Sequence, residues 1–179
     1  MKINPHHFKK LVLMITFFGT VCYSSVAQES TFHENIINYL RVNGTEKQYL
    51  AAYDQMFEMI KTQVAPGSVT EDGWVILKRG KSEAISEILG LLASAYQKHF
   101  SKDEITGMLA FYNTEVGAQM VTSPETLTPG QLAEVAAFFE SGLGQTIKEK
   151  LQVLSQDTAQ ISEYWSRDLY METMVTINN

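Results

Sequence analysis

The chain has 179 residues, of which 20 are acidic and 14 are Lys or Arg, and its formal net charge is −6. This length fits one domain with a sizeable core. The acidic balance disfavours nucleic acids and anionic lipid surfaces as partners, because both carry negative charge.

The first 27 residues have the features of a secretory signal peptide. Three lysines precede an apolar run over 11–21, and small residues lead to a cleavage site after Ala27. The run is too short for a comfortable permanent membrane span. We therefore expect an exported protein, in the periplasm or outside the cell. Two alternatives are an uncleaved anchor and a lipid on Cys22, which Val21 disfavours because a lipoprotein signal has a small residue there.

Cleavage at this site changes the charge and the cysteine content of the chain. It removes three of the 14 basic residues and none of the 20 acidic ones, so 11 remain against 20 and the formal charge becomes −9. The mature chain has no cysteine, so it has no disulfide even in a compartment that permits one. We expect a single domain over 28–179 with no stable membrane span.

Apolar residues recur every three or four positions along the mature chain, which is the period of an α-helix. Three such stripes begin at Tyr49, Ile85 and Ile147. The second contains Ile88, Leu89, Leu92, Tyr96 and Phe100, and the third Leu151, Leu154, Ile161, Trp165 and Leu169. The pattern predicts an all-α single-domain bundle of six to seven helices. They run about 32–43, 46–64, 71–80, 82–100, 102–113 with a short continuation 115–122, 129–140 and 142–173.

Several helix starts carry a hydroxyl residue followed three positions later by Glu or Gln, which is the spacing of a capping box. The four pairs are Thr31 with Glu34, Thr45 with Gln48, Ser101 with Glu104, and Thr128 with Gln131. Gly44 is predicted to end the first helix, because glycine readily adopts the left-handed conformation of a C-terminal cap.

Two segments repeat one pattern of helix start, paired aromatics, hydroxyl and glycine. The repeat units cover about 101–121 and 128–148. The matched positions are Phe111 with Phe138, Tyr112 with Phe139, Thr114 with Ser141, and Gly117 with Gly144. We interpret each unit as a helix, a hydroxyl cap and a second helix with glycine in its first turn. Glycine there costs about 0.5–1 kcal/mol, which close approach of another backbone, such as the other copy's, would offset.

The first unit resembles a known family. The residues that carry the resemblance are Tyr96, His99-Phe100-Ser101, Glu104-Ile105, Phe111-Tyr112-Asn113-Thr114 and Gly117, within about 96–121. They are similar to the secreted bacterial family catalogued as domain of unknown function 2059, whose pattern includes Phe-Tyr-x-Ser/Thr-x-x-Gly-x-Lys. The resemblance implies an exported, all-helical domain and no particular activity. Gln119 stands where the family commonly has lysine.

No pattern of catalytic or metal-binding residues is present in the mature sequence. His33 and His99 are its only histidines, and a zinc site needs three or four suitable ligands. A catalytic cysteine and the GxSxG elbow of serine hydrolases are both absent. We therefore expect no enzyme activity, no cofactor and no metal.

The sequence instead predicts a domain that acts by binding. Aromatics on more than one face of the last helix, Tyr164 and Trp165 among them, indicate either a central core helix or a face that docks a partner. The expected function is protein–protein interaction in the periplasm or envelope, with an envelope protein or a second copy as partner. The candidate binding residues are Phe111, Tyr112, Gly117, Phe138, Phe139, Gly144, Tyr164 and Trp165.

Two other interpretations of these residues stay open. The first is a carrier that holds an apolar small molecule or lipid in a helical-bundle cavity lined by Phe111, Tyr112, Phe138 and Phe139. The second is an anion site at the two glycine-containing helix starts, since such a start exposes backbone amides.

Overall fold

A computed structural model describes residues 29–178 of the chain, and the predicted signal peptide over 1–27 lies outside the described residues. All regular structure in the described part is helical, which confirms the predicted fold class. Every internal helix boundary falls within one residue of its predicted position. The helices are α1 (29–42), α2 (Thr45–Gln63), α3 (Glu71–Arg79), α4 (Lys81–His99), α5 (Lys102–Tyr112), α6 (Glu115–Thr122), α7 (Pro129–Glu140) and α8 (Gly142–Asn178), with a 3₁₀ turn at Pro124–Thr126.

The central element is α4. Its predicted stripe is buried, from Ile85 through Leu92 to Tyr96, and α2, α3 and α8 all pack against it. Fully burying an aliphatic side chain of this size stabilises a fold by about 1.5–3 kcal/mol. The stripe on α4 therefore holds the elements on both sides of it in one core.

The last helix, α8, has 37 residues and is about 55 Å long at 1.5 Å per residue. It lies along α4 and also contacts α3, α5 and α7. Ile147, Leu154 and Trp165 are buried on one line of its surface. The prediction for Leu151 is wrong, because this side chain is exposed. At 3.6 residues per turn it lies about 40° to one side of the Ile147–Trp165 line.

Two of the four predicted capping boxes are confirmed. In each, the hydroxyl accepts from the amide three residues later and that residue's side chain accepts from the cap amide, at Ser101 with Glu104 and at Thr128 with Gln131. The prediction for Thr31 is wrong, because the chain is already helical at residue 29.

The predicted capping box at Thr45 is also wrong. Gly44 occupies the N-cap of α2 with a φ of +89° and no side chain to accept a bond. Glycine tolerates this left-handed conformation without strain, so one residue ends α1 and begins α2. The Thr45 amide instead donates to Asn43 Oδ1 at 3.0 Å.

Candidate functional site

The two repeated segments form the same joint between helices, at α5–α6 and at α7–α8. Thr114 Oγ1 accepts from the Gly117 amide at 3.0 Å, and Ser141 Oγ accepts from the Gly144 amide at 3.1 Å. Each hydroxyl also donates to the carbonyl three residues before it, at 2.7 and 2.6 Å. Each hydroxyl therefore hydrogen-bonds to both helices of its joint. The amides of Gly117 and Gly144 both donate to these hydroxyls, so neither is free to bind an anion.

The glycines allow the two helices of each joint to meet. A Cβ at Gly117 would lie 2.8 Å from the Tyr112 Cα, and one at Gly144 would lie 2.5 Å from the Phe139 carbonyl oxygen. Real Cβ atoms do not make contacts this short, so the close approach requires glycine. The approaching backbone belongs to the preceding helix of the same joint. The predicted close approach of another backbone is therefore confirmed, but that backbone is not the other copy's, which was the example given.

The paired aromatics join the two repeats to one another. The rings of Phe111 and Phe138 are stacked, with centroids 3.8 Å apart and planes inclined by 3°. Phe139 packs edge-on against both, at 6.2 and 5.1 Å. The stacked pair is half-buried and in mutual contact. No ligand fits between these two rings, although both were candidates for the lining of a carrier cavity.

Tyr112 belongs to a cluster of tyrosines inside the bundle. Its ring packs edge-on against Tyr39 at 5.5 Å, and Tyr39 contacts Tyr96 at 5.7 Å. Burial raises the pKa of Tyr39 well above its ordinary value, raises the pKa of Tyr96 to about 12, and also raises the pKa of Tyr112. At neutral pH all three phenols are therefore protonated, and those of Tyr39 and Tyr96 hydrogen-bond to each other.

Tyr164 and Trp165 serve different faces of α8. Trp165 is 6% exposed, and its Nε1–H donates to the Ala84 carbonyl on α4 at 3.1 Å. Tyr164 is 58% exposed, with the Arg167 guanidinium 4.8 Å from the centre of its ring. Trp165 therefore lies on a face of α8 that belongs to the core, as the first interpretation of this helix expected. Tyr164 lies on a second face that is open to solvent, as a docking face would be.

Tyr164 lies on the wall of a groove between α3, α4 and the C-terminal part of α8. We call it the acidic groove; its volume is about 530 Å³. Trp165 lies at its base, while Ile76 on α3 and Leu91 on α4 complete its apolar walls. Ile76 is 58% exposed and Leu91 is 41% exposed. Large apolar side chains gathered in one open groove are typical of an interaction site.

Carboxylates follow both sides of this groove. Glu83 and Glu87 lie one turn apart on α4, and Asp168 and Glu172 lie one turn apart on α8. Asp168 has Arg167 Nε at 3.9 Å, and the other three form no ion pair within residues 29–178. Leu91 continues the first acidic row by one turn, and Tyr164 begins the second, so the groove combines exposed apolar side chains with negative charge from both helices.

The comparisons with known proteins give one family. Residues 86–123 match the model of DUF2059, an uncharacterized protein conserved in bacteria. The match confirms the resemblance seen within 96–121, and it covers most of α4, all of α5 and α6, and the Gly117 joint. Helices α7 and α8 lie outside the DUF2059 match. No curated protein and no solved structure matches the chain.

Within residues 29–178, no group of three or more His, Cys, Asp or Glu side chains is placed to hold a metal ion. None of the helices described there has the combination of length and hydropathy that a membrane crossing needs.

The predicted binding residues do not form one site. Phe111, Tyr112, Phe138 and Phe139 lie on α5 and α7. From α8, Trp165 packs against Tyr49 on α2 and Ala84 on α4, whereas Tyr164 is exposed on another face of the same helix. The predicted binding residues did not include Ile76, Leu91 or the four carboxylates that line the acidic groove. A signal was present, since Glu83 with Glu87 and Asp168 with Glu172 are acidic pairs at helical spacing beside the apolar stripes.

Proposed function

We propose that the mature chain is an exported, non-catalytic helical domain that binds a protein partner in the periplasm or envelope through the acidic groove. Export rests on the signal-peptide pattern of the first 27 residues. Binding rests on one observation: Ile76, Leu91 and Tyr164 are exposed together in a groove that four carboxylates also line.

The chemistry of the groove selects the partner. An amphipathic helix in a groove places apolar residues of one face against the walls. Lysines or arginines beside that face would meet Glu83 and Glu87 on one side and Asp168 and Glu172 on the other. Complementary charge of this kind adds specificity and speeds association. The partner that fits is therefore a cationic amphipathic helix.

A second copy of the chain fits the groove less well. In a symmetric dimer the same patch appears on both subunits, so the carboxylates that line the groove of one copy would face those of the other. The chain as a whole is also acidic, with a net charge of −6. Like charges brought together in this way oppose association.

Two synthetic peptides test the proposal directly. Both have leucines on one helical face, and the other face carries lysines in the first peptide and glutamates in the second. Calorimetry should show saturable binding of the lysine peptide and none of the glutamate peptide. Tyr164→Ala should weaken binding about tenfold, the ~1.4 kcal/mol typical of an interface aromatic. Val153→Ala is the matched control, because Val153 is 55% exposed on the same helix and outside the groove.

The contribution of the carboxylates that line the groove can be measured separately. The double variant Glu87→Gln with Asp168→Asn should lower the affinity for the lysine peptide and reduce its dependence on salt, because screening acts on exposed charge pairs. Equal binding of the two peptides, or equal affinity in the Tyr164→Ala and Val153→Ala variants, would contradict the proposed site.

The alternative function, a carrier of an apolar small molecule or lipid, remains a prediction with less support. Phe111 and Phe138 are two of the four residues expected to line its cavity, and their rings stack directly on one another. Native mass spectrometry of protein purified from its own cells tests this alternative. A retained lipid mass would favour the carrier, and a bare protein mass would not.

A further inference from the structure

A second groove has the opposite charge. This basic groove, about 500 Å³ in volume, is bordered by α1, α2, α3 and α4. Four cations line it: Arg41 from α1, Lys78 and Arg79 from the last turn of α3, and Lys81 from the first turn of α4. Four cations in one groove are unexpected in a chain with a net charge of −6, because their mutual repulsion opposes the arrangement.

Two of these cations have carboxylate partners. Arg41 Nε lies 3.3 Å from Glu46 Oε1, and Glu46 is the single carboxylate among the residues that line the groove. Lys81 Nζ lies 2.7 Å from Asp54 Oδ1, outside the groove lining. These two ion pairs hold Arg41 and Lys81 in place and partly neutralise their positive charge.

The other two cations have no carboxylate partner in the described part of the chain. Lys78 forms no ion pair with any residue of 29–178, and its Nζ lies 5.8 Å from the centre of the Phe57 ring. Arg79 forms no ion pair with any residue of 29–178. The groove therefore holds two positive charges that the described protein does not neutralise.

Hydroxyl groups and an apolar floor complete the groove. Ser82 and Ser86 lie one turn apart on α4 and both line it. The floor is formed by Leu50, Ile85 and Leu89, which pack in the core or against it. The groove thus offers two uncompensated cations and two neutral donors above an apolar base.

We propose that the basic groove binds a phosphate group carried by a small organic molecule or by a lipid. A phosphate monoester has up to two negative charges and three terminal oxygens, which match Lys78, Arg79 and the two serine hydroxyls. A carboxylate, with one charge and two oxygens, would leave part of this set unused. The guanidinium of Arg79 is planar and suits two parallel bonds to phosphate. The carbon part of the ligand lies towards Leu50.

This site is independent of the proposed function. The basic and acidic grooves share no lining residue and lie on different faces of α4, one with Ser82, Ser86 and Leu89 and the other with Glu83 and Glu87. Failure of one proposal therefore leaves the other standing.

Amide NMR titration tests the site with two soluble probes, inorganic phosphate and hexyl phosphate, at constant ionic strength in chloride. We expect saturable shifts at residues 78–86, with hexyl phosphate binding more tightly than inorganic phosphate. Arg79→Ala should weaken binding tenfold or more, and Arg79→Lys should retain part of it. Arg167→Ala is the control, because it removes the same charge outside the groove.

Vesicles distinguish the two sources of phosphate. Binding to vesicles that contain phosphatidic acid, whose headgroup is a phosphate monoester, but not to pure phosphatidylcholine vesicles, lost in Arg79→Ala, would assign the site to a lipid headgroup. Saturable binding of hexyl phosphate without vesicle binding would assign it to a soluble phosphate ester. The proposal is overturned if no probe produces saturable shifts, or if Arg79→Ala and Arg167→Ala bind every probe with equal affinity.

Discussion

Replacing Gly117 with alanine tests the physical basis of the helix joints. The new methyl group would lie 2.8 Å from the Tyr112 Cα and closer still to the Phe111 carbonyl oxygen. Both neighbours are backbone atoms, so neither can rotate away as a side chain would. Overpacking of this kind typically costs about 1–3 kcal/mol and occasionally more. Contacts with fixed backbone place this substitution in the upper part of the range, at about 2–3 kcal/mol. Alanine returns about 0.5–1 kcal/mol of helix propensity, which leaves a net loss of about 1–2.5 kcal/mol.

A matched control exists within the same chain. Gly90 lies inside α4 and has no atom within 4 Å of its would-be Cβ, so Gly90→Ala should stabilise the protein by about 0.5–1 kcal/mol. Urea unfolding followed by far-UV circular dichroism measures both free energies. Gly144→Ala should behave as Gly117→Ala does, because its methyl group would also meet backbone. If Gly117→Ala were as stable as the natural protein, our account of the joints would be wrong.

Three further predictions concern caps and titrating groups. Thr114→Ala removes the hydroxyl that caps α6 and should cost about 1 kcal/mol in urea unfolding, as caps typically do. Burial raises the pKa of the Glu104 carboxyl, but hydrogen bonds from Lys150 and Ser101 outweigh it and hold that pKa below its ordinary value. Because the pKa of this carboxyl is lower in the folded than in the unfolded protein, its ionisation stabilises the fold at pH values above the unfolded pKa. The free energy of unfolding should therefore fall as the pH drops below about 4.5. The fall should be smaller in Glu104→Gln. Absorbance titration should show the phenol of Tyr96 ionising only near pH 12, where burial places its pKa.

The helices were predictable because their signals are local. Ser101 and Thr128 cap their own helices, and the stripe from Ile85 to Tyr96 follows the helical period within one segment. The miss at Thr45 has a local cause as well. Gly44, whose backbone is left-handed, occupies the N-cap position that the capping box would give to Thr45. The capping-box pattern considers only the spacing of side chains, so it does not detect a backbone conformation of this kind.

The grooves were not predictable from local signals. The acidic groove depends on the packing of α8 against α4, which includes a hydrogen bond from Trp165 to Ala84, residues 81 positions apart. That packing brings Ile76 and Tyr164 to one surface. The basic groove similarly combines Arg41 with Arg79 from different helices. A single sequence without coordinates does not define which exposed positions of distant helices become neighbours.

Site-specific photocrosslinking in the producing bacterium tests the central claim most directly. A photoreactive phenylalanine analogue replaces Tyr164 in one variant and Val153 in the other; the two positions are 58% and 55% exposed on the same helix. We predict a protein crosslink from position 164 alone, with the captured peptide rich in lysine or arginine beside apolar residues. The same crosslinks from both positions, or an acidic captured peptide, would contradict a docking role for the acidic groove.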